Sequence, residues 1–163
     1  MGDSLTKITT EKDGVPIGPQ SEGSDFIYIY PQGLEKLLYF MKRKYKSPKI
    51  YISENGITEK KDEKRKLEDA LKDPHRVNNI LRHLYHIHLA IKNGVDVKGY
   101  TYWSLFDDFE WAEGYIPRFG LYYVDYKDNL KRTPKLSAKW FHSFPHMCLI
   151  ACKNSSTQKL PQV

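Results

Sequence analysis

The sequence is poor in the features that mark several large functional classes. It has only two cysteines in 163 residues, Cys148 and Cys152, spaced as neither a redox pair nor a metal framework. Its apolar stretch Met147 to Ala151 is far short of the ~20 residues a membrane span needs. No Gly-x-Ser-x-Gly elbow is present, which removes that route to Ser-His-Asp hydrolysis. Phosphate-loop and dinucleotide fingerprints are also missing. The chain opens with no secretory leader pattern, and its compartment is left open. Two permissive patterns remain: a myristoylation-type start, Met1 through Thr6, and a sequon, Asn154-Ser155-Ser156, which has meaning only in a secretory compartment.

What is present fits one ordinary domain, with 40% hydrophobic and 28% charged residues. Aromatics make up 13%, including three Trp and twelve Tyr, which suits sugar-ring binding and a packed core equally. The net charge of +6 is concentrated in local runs, Lys42-Arg43-Lys44 and Lys60 through Lys66, the second interleaved with acids. Such runs are solvated helix ends and loops. There is no basic stripe with regularly spaced aromatics, so no nucleic-acid partner is expected, nor a membrane one. His83, His86 and His88 crowd one helix, but only His83 and His86 have a spacing that shares a face. No carboxylate or cysteine completes a ligand set. Neither a metal nor a cofactor is expected.

The pattern along the chain alternates helix and strand. Residues 1–25 read as loop, broken by Gly14, Pro16, Gly18, Pro19 and Gly23. A helix follows Pro31, with Leu34, Leu37, Leu38 and Met41 at helical spacing and a basic C-terminal turn. Ile50-Tyr51-Ile52 reads as a buried strand that delivers Glu54 to its carboxyl end. Residues 57–73 read as a charged loop. Asp73 is expected to N-cap a long helix opened by Pro74, with a buried stripe of Val77, Ile80, Leu81, Leu84, Ile87 and Ile91, closed at Asn93-Gly94. A second strand is expected over 97–104 and a hairpin over 119–130 turning at Asp128-Asn129. Pro134 is expected to open a last helix holding Leu136, Ala138, Trp140 and Phe141. This alternation implies parallel β/α units, whose sites lie at the carboxyl ends of the strands.

Both clusters of chemistry-bearing residues fall at such ends. Glu54, before Asn55-Gly56, is as consistent with a solvated turn carboxylate as with a functional acid. The second cluster is Trp103-Ser104-Leu105-Phe106-Asp107-Asp108-Phe109-Glu110-Trp111. Indole faces stack on the C–H face of a pyranose, and a carboxylate accepts paired hydrogen bonds from adjacent hydroxyls. Core aromatics beside a surface acid would give the same composition.

Taken in order, these segments resemble family 1 glycoside hydrolases. Ile52-Ser53-Glu54-Asn55-Gly56 is similar to their nucleophile signature, I/V-T-E-N-G. Residues Trp103 to Trp111 are similar to W-S-L-x-D-N-F-E-W. Gly114-Tyr115, Arg118-Phe119-Gly120-Leu121 and Val124-Asp125-Tyr126 follow as in G-Y-x-x-R-F-G-L-x-x-V-D-Y. Gly14 to Pro19 and Tyr28 to Pro31 resemble plant members, with alkaloid-glucoside hydrolases among the nearest in character. The resemblance covers residue 3 to about residue 144.

The resemblance implies an α/β fold, the C-terminal part of a (β/α)8 TIM barrel carrying about strands seven and eight with flanking helices: an incomplete barrel. Residues 1–144 would be this segment, and 145–163 a tail expected to be poorly ordered. It implies a retaining β-glucosidase acting on plant metabolite glucosides, with Glu54 as nucleophile. Trp103 would stack near the sugar, Glu110 would hold glycone hydroxyls with Trp111 beside it, and Phe119 would wall the pocket. Glu54 must be ionised to attack, which calls for hydrogen bonds or a cationic neighbour. Asp108 stands where the family has Asn, and Ser53 where Thr is commoner.

A retaining enzyme needs a second carboxyl ~5 Å from the first. The family's acid/base motif, T-F/L-N-E-P, has no match here, so no acid/base residue is expected in this chain. Met1 would fall in the loop after strand six. Acting alone, the chain is therefore expected to be inactive. Open strand edges would favour self-association or pairing with a full-length β-glucosidase.

Overall fold

The computed structural model describes residues 9–144. Residues expected as loop instead open with a hairpin, β1 (Glu11–Lys12) and β2 (Val15–Pro16), paired antiparallel. Its two-residue connection is Asp13-Gly14, both at positive φ (54° and 75°). Asp-Gly supplies that geometry at little steric cost, a hairpin signal that the surrounding breakers obscured.

Helix α1 (Pro31–Lys44) begins where expected, with Pro31 in the first turn and Lys42, Arg43 and Lys44 in the last. Pro suits the first turn because its missing N–H would be unpaired there anyway, and the basic end complements the helix dipole. Leu38 is buried, whereas Leu37 and Phe40 face outward. Strand β3 (Ile50–Ile52) follows.

The segment 57–73 is more structured than a loop. It contains β4 (Glu59–Lys60), paired antiparallel with β6 (Pro117–Arg118), and a single-turn helix α2 (Leu67–Ala70). Helix α3 (Pro74–Lys92) then runs to Asn93-Gly94. Its buried stripe is Arg76, Asn79, Ile80, His83, Ile87 and Ala90. That face is rotated from the expected one, leaving Leu81 and Ile91 exposed. Asp73 holds the N-cap position, but its side chain does not cap the backbone N–H groups of the helix end. Its carboxylate is engaged by Arg76 and Ser137: Oδ2 accepts from Arg76 Nε at 2.9 Å and Ser137 Oγ at 2.6 Å, and Oδ1 from Ser137 N at 2.8 Å.

Strand β5 (Val97–Tyr100) ends earlier than expected, although Thr101 N still donates to Ile52 O at 2.9 Å. It pairs parallel with β3, so β3, α3 and β5 form a β–α–β unit. The hairpin of β7 (Tyr122–Asp125) and β8 (Lys131–Pro134) turns through 126–130. It therefore starts and ends later than the expected 119–130. Pro134 closes β8 instead of opening a helix, and α4 covers 136–144. Its first turn is capped from a distance by Asp73. The expected tail at 145–163 lies outside the described residues.

Two apolar clusters hold these elements together. Leu38, Ile87, Ala90 and Val95 join α1 and α3 to the sheet, with Ile50, Ile52 and Val97 packed against them. Ile80, Tyr102, Leu121 and Ala138 tie α3 to β7 and α4. Among the described residues the sheet of β3 and β5 has two strands, and Tyr51 on it is 69% exposed. No helix among the described residues is long and apolar enough to cross a membrane.

Candidate active site

The two sequence clusters meet because β3 and β5 are parallel neighbours whose carboxyl ends lie side by side. Beyond β3 the chain turns at Glu54-Asn55-Gly56. Asn55 O accepts from Trp103 N at 3.0 Å, and Asn55 Oδ1 accepts from the Tyr100 hydroxyl at 2.9 Å. Gly56 is required by the close approach: a Cβ there would lie 1.8 Å from Trp103 O. The peptide bond between Trp103 and Ser104 is cis.

Glu54 is exposed at this turn, and its carboxylate makes no hydrogen bond or ion pair among the described residues. Trp103 is 39% exposed and Trp111 84%. Trp111 opens a short 3-10 turn, Trp111–Glu113, at φ 38°. Glu110 is half-buried beside that turn, its N–H donating to Gly114 O at 2.7 Å. Burial raises the Glu110 carboxyl above its ordinary range, and the charges of Asp108, Glu113 and Glu54 push it the same way. Of the three, Glu54 contributes least.

Phe119 lies inside, 4% exposed. Its carbonyl accepts from Arg76 Nη1 at 3.0 Å. Of the five candidates, four therefore present surface at the strand ends and Phe119 packs beneath.

Two buried groups organise this end of the molecule: Asp107, which lies within the second sequence cluster, and Arg76, which residue spacing did not single out. Arg76 is fully buried. Nη1 donates to Ile57 O (2.6 Å), the Tyr102 hydroxyl (2.9 Å) and Phe119 O (3.0 Å), while Nη2 donates to Arg118 O (2.9 Å). One guanidinium thus joins the segments after β3, after β5 and around β6. Asp107 forms a second hub, accepting from Arg118 (2.8 Å), Lys135 (3.1 Å) and the N–H groups of Gly120 and Val124. A buried carboxylate with this many donors locks its loop, and Gly120 must lack a Cβ because one would sit 2.2 Å from Asp107 N. Asp108, next in line, has a buried Oδ1 without a partner, and burial raises its carboxyl, with Asp107 adding to the effect.

The histidines point apart. His83 Nδ1 meets the Asn79 carbonyl at 2.8 Å in its own helix, and His86 Nδ1 meets Glu35 at 2.5 Å on α1. No group of three His, Cys, Asp or Glu is arranged for a metal among the described residues.

The family model for Glycosyl hydrolase family 1 matches residues 3–147. The chain belongs to glycosyl hydrolase family 1. It is 51% identical over 144 residues to Beta-glucosidase 24 of Oryza sativa subsp. japonica, covering 88% of this chain and 28% of that protein. It is 46% identical over 154 residues to Raucaffricine-O-beta-D-glucosidase of Rauvolfia serpentina, covering 94% of this chain and 27% of that one. Among solved structures, the rice Os3BGlu6 Beta-Glucosidase superposes with a TM-score of 0.77 at 47% identity, over 81% of this chain and 28% of the other. The chain thus spans little more than a quarter of these relatives. Its architecture corresponds to part of the family 1 TIM barrel.

Proposed function

We propose that this chain is the portion of a retaining β-glucosidase that carries the nucleophile and much of the glycone site. Glu54 attacks the anomeric carbon of a plant metabolite glucoside. The aglycone oxygen leaves with a proton from a second carboxyl, and water then cleaves the glycosyl-enzyme ester. Trp103 and Trp111 stack on the sugar, Glu110 accepts its paired hydroxyls, and Phe119 backs the pocket. The barrel strands involved are the seventh and eighth, here β3 and β5.

The observation that carries this reading is the parallel pairing of β3 with β5, which sets Glu54 beside the Trp103 cluster. Glu110 is occupied with the sugar in this reading and does not replace the acid/base. The chain alone therefore does not turn over substrate. The test is an assay of the purified chain against an aryl β-glucoside. No turnover is expected, and turnover that disappears in Glu54→Gln would overturn the inactive-alone reading.

The two-strand sheet with exposed Tyr51 favours a second reading, in which the chain pairs through that edge with a full-length β-glucosidase or with itself. Co-expression with an intact relative tests it. Absence of co-purification, together with unchanged activity of the relative, counts against it.

A further inference from the structure

A cavity of about 250 Å³ lies between the segment after β4 and the β7 hairpin, away from Glu54. Its size falls just below the ~300–1,000 Å³ of sites for drug-sized ligands, so it suits something smaller. Six basic side chains line it against four acidic ones.

Two cations on its floor converge on one carboxylate. Arg118 (5% exposed) and Lys135 (1% exposed) both reach the same carboxylate, Asp107, whose two oxygens already accept two backbone N–H groups as well. Two polar atoms of residues that line it are buried without any hydrogen-bond partner: Arg118 Nε and the Tyr126 hydroxyl. The Arg118 guanidinium packs against the rings of Tyr123 and Tyr126, each centroid 4.7 Å away. The acids on the walls do not supply the missing acceptor. Glu59 is engaged by Arg65 and Arg76, and Glu63 by Lys61 and Lys127. Buried donors are normally satisfied and buried cations matched.

We propose that this cavity binds a small phosphate-type oxyanion, with Arg118 Nε and the Tyr126 hydroxyl as donors and Arg118 and Lys135 as counter-charges. Guanidinium and phosphoryl oxygens match in geometry as well as charge. Burial pushes the Tyr126 phenol up to about 12, which keeps it a donor at neutral pH. Lys135 is held down to about 8, first by burial and then by Arg76, with Asp107 and Asp73 opposing. A bound anion relieves that crowding and raises the lysine. The site is independent of the glycosidase reading, and neither depends on the other.

The test is calorimetric titration of the full 163-residue chain with inorganic phosphate at pH 7, against sodium chloride at matched ionic strength. Saturable binding is expected, about tenfold weaker in Tyr126→Phe and unchanged in Lys49→Ala on the distant surface. Sulfate keeps its charge across pH 7–9, so its affinity is expected to fall as pH rises through 8 and Lys135 loses its proton. In wild-type protein, NMR titration of labelled lysine is expected to show the Lys135 pKa rising when sulfate binds. Glycerol phosphate that binds like inorganic phosphate would identify the ligand as a phosphoryl group on a larger molecule, and failure to bind would identify the free ion. No binding beyond that of chloride, or a Lys135 titration that sulfate leaves unmoved, overturns the proposal.

Discussion

The backbone N–H of Trp103 donates to the carbonyl of Asn55 at 3.0 Å, so the residue after Glu54 and the aromatic beyond β5 are one hydrogen bond apart. That junction joins the turn after β3 to the segment after β5. Gly56 makes it possible, because Trp103 O occupies the space a side chain would need. Gly56→Ala is expected to cost about 1–3 kcal/mol as the backbone shifts to clear the methyl. Urea unfolding measures it, and an unchanged midpoint would show that the junction is not tight.

Arg76 holds the same region from below. Arg76→Met removes a donor from the Ile57, Phe119 and Arg118 carbonyls and the cation from Asp73. Breaking a buried pair in this way costs about 3–5 kcal/mol, a large share of the ~5–15 kcal/mol that stabilises a domain. The variant is expected to lose cooperative thermal unfolding. A full cooperative transition within a few degrees of wild type would contradict the role given to Arg76.

Lys135 gives a pH signature. Its folded-state pKa is about 8, below the ordinary lysine value of 10.5. Between those values the unfolded chain binds more protons than the folded one, so stability rises with pH across that window. Below about 8 the burden of the buried charge is fully present. Denaturation in anion-poor buffer from pH 7.5 to 9.5 is expected to show the rise, and Lys135→Met to flatten it if that variant folds. A flat or falling wild-type profile contradicts the assignment.

Trp111 separates binding from stability. At 84% exposed it contributes little packing, so Trp111→Ala is expected to move stability by no more than about 0.5 kcal/mol. Place residues 9–144 in an intact family 1 barrel, and the same change is expected to raise KM for an aryl glucoside about 2- to 10-fold. A large stability loss with unchanged KM would make Trp111 a structural residue.

Much of this arrangement was legible in the sequence, but unevenly. Ile50–Ile52 and α3 were readable because apolar periodicity survives without knowledge of neighbours. The rotation of the α3 stripe was not, because Arg76 is buried by its hydrogen bonds and carries no apolar signal. Strand β4 is two charged residues whose conformation is set by Pro117–Arg118, far along the chain. Asp73 reads as a cap for α3, but its carboxylate serves Ser137, 64 residues later. Glu54 and the Trp103 cluster stood out individually. Their adjacency required the parallel pairing of β3 and β5.

The proposed role of Glu54 as nucleophile is tested most directly by trapping the glycosyl-enzyme. Residues 9–144 can replace the corresponding segment of Beta-glucosidase 24, and the chimera can be treated with a 2-fluoro-glucoside bearing an activated leaving group. The electron-withdrawing fluorine slows release of the glycosyl-enzyme, and peptide mass spectrometry locates the attached sugar. The account predicts one sugar on the peptide containing Glu54, none in Glu54→Gln and none on the isolated chain. A sugar attached to any other residue, or labelling that persists in Glu54→Gln, would contradict it.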